Sequence, residues 1–127
     1  MESSPGFCRL RVSDGAETLP LDLVADPVPC IEPPVEVVQG VWVDTPREIL
    51  ANKLTALMSR WAVRDLVDVR ALIGSGYDLE QGLRDAATKD GGLSGPVLAW
   101  VLQTTPDTEL DDDLRAFKQT LIERLTP

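Results

Sequence analysis

The sequence predicts an α+β protein in which a few N-terminal antiparallel strands are followed by a bundle of about five helices. Three observations support this. Short alternating segments with turn residues fill the first third, capped segments with helical apolar spacing fill the rest, and 43% of the 127 residues are hydrophobic. That composition is typical of a folded domain. We place the boundary after Asp44, which gives a β region over residues 1–44 and a helical domain over residues 45–127.

The first two predicted strands form a β-hairpin. Apolar and polar residues alternate over residues 7–12 and again over residues 19–24, and the turn signal Asp14-Gly15 lies between them. In the second strand the leucines share one face, and Asp22 points to the opposite face.

A proline-rich connector and a second hairpin complete the β region. Residues 27–34 contain four prolines and are expected to be extended. The segments VEVV and VWVD follow, separated by Gln39-Gly40, and form a second hairpin or a bent strand. Four strands are too few for a self-standing sheet layer. Either they pack directly on the helices, or the chain is the latter part of something larger.

The first helix has the clearest start signal in the chain. Thr45 suits the N-cap, Pro46 suits the first helical position, and Glu48 completes a capping box. An apolar stripe follows at helical spacing: Ile49, Leu50, Leu54, Leu57, Met58 and Trp61.

Lys53 lies within this apolar stripe. At about 100° per residue it shares one side of the helix with Ile49 and Leu57. A lysine there either snorkels out of the core or serves a site. An array of charged residues continues after it: Arg60, Arg64, Asp65 and Asp68. The alternative is that these residues have only a structural role: Arg64 and Asp68 would form an i,i+4 salt bridge, and Asp65 would stabilise the start of a helix.

Three further helices follow the second. Gly74 and Gly76 end the second helix, and Asp78 and Gln81 cap a third over residues 79–89. Ser94 with Pro96 starts a fourth. A fifth carries a core-facing stripe: Leu114, Phe117, Leu121 and Leu125.

Composition excludes several classes of function. The net charge of −9 disfavours a protein that binds nucleic acid over its whole surface, although residues 46–70 carry +2 and the remainder −11. Histidine is absent, which removes Ser-His and Cys-His catalysis and histidine-ligated metal sites. The two cysteines form no CxxC pair, and a reducing compartment is expected. We see no signal peptide and no apolar run long enough for a bilayer, so we expect a cytoplasmic protein without a membrane partner.

The charged array carries a resemblance to a known family. The relevant segments are LPLDLV, TPREILANKLTALMSRWAVRDLVDV, LIGSGYDLEQGL and ATKDGG, and the most specific spacing is Lys-x6-Arg-x3-Arg-Asp-x2-Asp. Together they resemble the AbiEii/AbiGii nucleotidyltransferase toxins of type IV toxin–antitoxin and abortive-infection systems. The resemblance covers about residues 7–92.

The resemblance implies transfer of a nucleotide from Mg²⁺-NTP to an acceptor, with tRNA the acceptor for some relatives. Lys53, Arg60 and Arg64 would then bind the nucleotide phosphates. Asp22 would be a catalytic carboxylate and metal ligand, Asp65 would be catalytic or orienting, and Asp68 would support the lysine. An antitoxin or a second copy of the chain would be the protein partner.

One defining motif of the family is not found in the sequence. No Gly-Ser followed by Asp-x-Asp on a strand precedes Asp22. We therefore expect a C-terminal portion of such a protein, whose strands are the remnant of a nucleotidyltransferase sheet and which is inactive alone. The alternative is a non-catalytic helical interaction module that binds an antitoxin or another partner chain.

Overall fold

The computed structural model describes residues 2–126 and confirms the predicted fold class. Within that range five strands precede five helices. The strands are β1 (Glu2–Ser4), β2 (Phe7–Ser13), β3 (Thr18–Val24), β4 (Val35–Val38) and β5 (Val41–Val43). The helices are α1 (Pro46–Ser59), α2 (Val63–Gly74), α3 (Leu79–Lys89), α4 (Gly95–Thr104) and α5 (Asp112–Leu125). No helix within residues 2–126 has both the length and the hydropathy needed to cross a membrane.

The strands form two separate antiparallel sheets. The first has the order β1-β2-β3 and contains the predicted hairpin, extended by β1, which the sequence did not predict. At the hairpin turn the Asp14 carboxylate accepts hydrogen bonds from the N–H groups of Ala16 and Glu17, both at 2.9 Å. Gly15 adopts φ +93° there, a conformation that glycine reaches without strain. The second sheet is the β4–β5 hairpin, with an irregular register between Glu36 and Val38.

The β2–β3 register determines which side chains share each face of the first sheet. One face, here called the apolar sheet face, consists of the cross-strand pairs Cys8–Leu23, Leu10–Leu21 and Val12–Leu19. It is largely open: Leu19 is 65% exposed and Leu23 is 51% exposed. Strand residues are mostly exposed in both sheets, and no strand packs extensively on a helix within residues 2–126. The alternative in which the strands pack directly on the helices is therefore wrong.

The hydrophobic core belongs to the helical domain. Its buried members all lie between Leu50 and Leu125 within the part of the chain that the structure describes. Helix α1 is central and packs against α2, α3 and α4, while α5 packs against α4 and α2. Close contact of α1 with α3 depends on Gly82, because a Cβ there would lie 2.9 Å from Leu50 Cδ2.

The start of α1 follows the prediction only in part. Thr45 Oγ1 accepts a hydrogen bond from the Glu48 N–H at 3.2 Å, as expected of an N-cap. The reciprocal half of the predicted capping box is wrong. The Glu48 carboxylate is buried, accepts from the Ile31 N–H at 2.6 Å, and binds Lys89 Nζ at 2.5 Å. A buried ammonium attracts the carboxylate more strongly than a backbone N–H at the helix start does.

Candidate functional site

Lys53 lies between two carboxylates at the junction of α1 and α2. Its Nζ is 3.0 Å from Asp65 Oδ1 and 2.8 Å from Asp68 Oδ2. The helical spacing that placed Lys53 in the apolar stripe also aims it at α2, which packs directly against α1. The Lys53 side chain is 26% exposed, so its ammonium is neither sealed in the core nor free in water. Contact of the ammonium with the carboxylates of Asp68 and Asp65 raises the pKa of Lys53 and keeps it charged.

Asp65 is the buried member of this group. It lies in the first turn of α2, where the N-cap Ala62 provides no side-chain cap. Negative charge is favourable at a helix N-terminus, which explains its place there. Its side chain is 0% exposed, and its Oδ2 is a buried atom without a hydrogen-bond partner. Arg60 Nε is 3.8 Å from that oxygen, beyond hydrogen-bond distance.

The two arginines of the predicted array differ in their contacts. Arg60 caps the C-terminal end of α1 and is 60% exposed at its side chain. Arg64 lies exposed on the first turn of α2 and makes none of the ion pairs found among residues 2–126. The i,i+4 pair of Arg64 with Asp68 is not formed, because Asp68 binds Lys53 instead.

Four of the six predicted site residues are thus brought together, and the fifth is next to them in sequence. Here we call Lys53, Arg60, Asp65 and Asp68 the lysine cluster. With Arg64 included, its formal charge is +1 in a chain whose net charge is −9. The structure therefore contains a local cationic feature at the α1–α2 junction.

Asp22 lies elsewhere, on the face of the first sheet opposite the apolar sheet face. Both its oxygens are bound by the Arg9 guanidinium, at 2.6 and 2.8 Å. The hydrogen bond from Arg9 lowers the pKa of Asp22. No hydrogen bond or ion pair links Asp22 to the lysine cluster. Its catalytic and metal-binding roles stay predictions.

The carboxylates in their present arrangement do not fit a magnesium ion. Mg²⁺ requires oxygen ligands in near-octahedral geometry. Among residues 2–126 no group of three histidine, cysteine or acidic side chains could hold a metal. Guanidinium or ammonium groups already bind Asp22, Asp65 and Asp68.

Two further ion-pair networks that involve α1 were not predicted by any pattern in the sequence. Arg47 binds both oxygens of Asp85 on α3, at 2.7 and 2.9 Å, and also approaches Glu32 of the connector. Glu48 pairs with Lys89 across 41 positions of sequence, a contact that local patterning cannot reveal. These networks fix the connector and α3 on α1 and so hold the helix that carries Lys53.

Two open cavities flank α1, and neither is lined by the lysine cluster. A cavity of about 320 Å³ lies between the N-terminal ends of α1 and α3 and includes Arg47, Leu50 and Tyr77. One of about 620 Å³ lies on the connector side and includes Asn52, Thr55 and Lys89. The basic groups of these cavities, Arg47 and Lys89, are already paired with carboxylates, whereas Arg64 presents its charge to solvent. Charge therefore favours the lysine cluster together with Arg64 as the anion site.

Comparison with known proteins gives a family. A family model described as "Nucleotidyl transferase AbiEii toxin, Type IV TA system" matches residues 7–127. No curated protein and no solved structure matches the chain. The match includes β2 to β5 and all five helices. The predicted family is confirmed, and the chain belongs to the AbiEii nucleotidyl transferase toxins of type IV toxin–antitoxin systems.

Proposed function

We propose that this chain supplies a nucleotide-binding surface of an AbiEii-type nucleotidyltransferase, in which Lys53, Arg60 and Arg64 contact the phosphates of a nucleoside triphosphate. The observation that supports it most strongly is the position of Lys53, whose Nζ is 3.0 Å from the buried Asp65 and whose side chain is still partly exposed to solvent. Asp65 holds the ammonium in place, and Asp68 contacts it from the solvent side.

The N–H donors of Lys53 and Arg64 agree with this role. An ammonium has three N–H donors; Lys53 donates one to Asp65 and forms an ion pair with Asp68. Arg64 has its whole guanidinium available on the exposed surface of the first turn of α2. Arginine and lysine together neutralise phosphate charge and fix its orientation.

Nucleotide transfer is a separate matter from nucleotide binding. The family implies a nucleotidyltransferase-type toxin with an antitoxin as its counterpart. Magnesium, catalytic roles for Asp22 and Asp65, and tRNA as the acceptor are what the family resemblance implies for transfer, and they stay predictions. Because the carboxylates are bound to Arg9 and Lys53, we expect the chain by itself to bind nucleotide without transferring it.

A thermal-shift measurement tests the binding proposal. A ligand at ten times its Kd stabilises the folded state by about 1.4 kcal/mol, which raises the Tm of a domain this size by about 4–7 °C. Each of the four nucleoside triphosphates is added with and without Mg²⁺. We expect a shift for the unmodified chain that is lost in Lys53→Met and reduced in Arg64→Ala.

Arg124→Ala is the matched control, because Arg124 is an exposed helix arginine outside the lysine cluster. Each variant is compared with its own Tm without ligand, so that altered stability does not affect the result. No shift at millimolar nucleotide, or an equal loss in Arg124→Ala, contradicts the proposal.

Partner binding is a second candidate function, and the apolar sheet face favours it. This face has three apolar cross-strand pairs and no charged residue. We propose a second copy of the chain as the occupant, because a two-fold axis through the central Leu10–Leu21 pair sets apolar residues against apolar residues throughout. The sheet edges are less suited to pairing: β1 has three residues, and the edge strand β3 contains Pro20.

Sedimentation at increasing concentration tests this candidate. We expect a concentration-dependent dimer that Leu21→Glu disrupts, since a charge would enter the centre of the contact. Thr18→Glu, on the opposite face of the same strand, is the control and should leave the dimer intact. A monomer at all concentrations contradicts self-association, and association that requires the antitoxin would assign the face to that partner instead.

A further inference from the structure

We propose that Asp68 is an intramolecular competitor for anionic ligands at Lys53. In the structure Asp68 Oδ2 lies 2.8 Å from Lys53 Nζ and forms an ion pair with the ammonium that a phosphate oxygen would contact. The inference rests on the proposed nucleotide site and adds its regulation. It differs from the supporting role predicted for Asp68 from the family resemblance.

The two carboxylates on Lys53 are not equivalent. The Asp65 side chain is 0% exposed, whereas that of Asp68 is 46% exposed. Releasing Asp65 would leave a buried carboxylate without its counter-ion, which is strongly unfavourable. Releasing Asp68 exposes a carboxylate that water already reaches, and such surface pairs contribute little to stability. Asp68 is therefore the carboxylate that an incoming anion can displace.

Local charge leads to the same conclusion. Lys53 with its two carboxylates carries a formal charge of −1, and the positive charge of the surroundings comes from Arg60 and Arg64, so Asp68 weakens the attraction of the ammonium for a phosphate. Neutralising Asp68 would leave Lys53 paired with Asp65 alone. An orienting role for Asp68 predicts the reverse, because its loss would then weaken anion binding.

Calorimetric titration with inorganic tripolyphosphate, without Mg²⁺ and at low ionic strength, separates the two roles. This probe carries the phosphates without a base or ribose. We expect Asp68→Asn to bind it about fivefold more tightly than the unmodified chain, in line with the strength of a surface ion pair. The gain should disappear in the double variant Lys53→Met/Asp68→Asn.

Asp112→Asn is the matched control, because it removes the same charge and a comparable exposed ion pair, that of Asp112 with Arg115 at 3.0 Å. Circular dichroism and the Tm confirm that each variant folds. Binding detected only in Asp68→Asn, and dependent on Lys53, also supports the competitor role.

Two results overturn the inference alone: Lys53-dependent binding that Asp68→Asn leaves unchanged or weakens, and an equal gain in Asp112→Asn. The absence of Lys53-dependent binding in both the unmodified chain and Asp68→Asn overturns the proposed nucleotide site as well.

Discussion

Replacing Lys89 by methionine should destabilise the helical domain strongly. The Lys89 ammonium is 2.5 Å from Glu48 Oε1 and donates to the Pro29 carbonyl at 3.2 Å. The side chains of Lys89 and Glu48 are 5% and 2% exposed. The pair joins the connector, α1 and α3 at one point, so its loss affects how all three pack.

The expected magnitude follows from the carboxylate that remains. In Lys89→Met, Glu48 stays buried with two backbone donors, Ile31 N–H at 2.6 Å and Glu32 N–H at 3.4 Å. Removing one partner of a buried ion pair costs about 3–5 kcal/mol. Burial by itself would raise the pKa of Glu48, and the hydrogen bonds from Lys89 and Ile31 outweigh it, so its pKa in the intact protein is lowered. Without Lys89 that pKa should rise.

Urea denaturation measures the free energy of unfolding for Lys89→Met, Glu48→Gln and the double variant. The double variant should be less destabilised than the sum of the two single variants, because neither charge is then left unpaired. Asp112→Asn is the surface comparison and should leave the urea midpoint nearly unchanged. A loss below about 1 kcal/mol in Lys89→Met, or strict additivity in the double variant, would show that Lys89 and Glu48 do not stabilise the fold as a buried pair.

Three further outcomes are expected. Gly82→Ala should lower the free energy of unfolding by about 1 kcal/mol in urea, because overpacking against Leu50 at 2.9 Å outweighs the gain in helix propensity; a more stable variant would contradict this. Asp22→Asn should leave the nucleotide-induced thermal shift unchanged, since Arg9 binds both Asp22 oxygens away from the lysine cluster, and a lost shift would place Asp22 in the site. The hydrogen bond from Arg47 lowers the pKa of Asp85 in the folded protein. The ionised Asp85 carboxylate therefore stabilises the fold above its ordinary pKa of 3.8, and this stabilisation is lost as the pH falls through the lower pKa of the folded state. Asp85→Asn should flatten the decline of the urea midpoint between about pH 5 and pH 2.

Local signals account for the part of the fold that the sequence predicted. The third helix was predicted over residues 79–89, and α3 spans Leu79–Lys89, with Asp78 accepting hydrogen bonds from the N–H groups of Glu80 and Gln81. Caps and turns depend on residues within a few positions of one another, so a single sequence contains the information.

Non-local contacts explain what the sequence did not predict. The capping box at Glu48 was wrong in its second half because Lys89, which is distant in sequence, lies beside it in the fold. The spacing of Lys53, Arg64 and Asp68 allowed two pairings, and only the packing of α2 on α1 selects the Lys53–Asp68 pair. Arg9 and Asp22 meet through the β2–β3 register, which periodicity alone does not fix.

Binding of nucleotide phosphates at the junction of α1 and α2 can be observed by titrating the ¹⁵N-labelled chain with ATP and following amide chemical shifts. We expect changes concentrated between residues 53 and 68, lost in Lys53→Met and retained in Arg124→Ala. Changes centred on the cavity near Arg47 and Tyr77, or none at millimolar ATP, would contradict it.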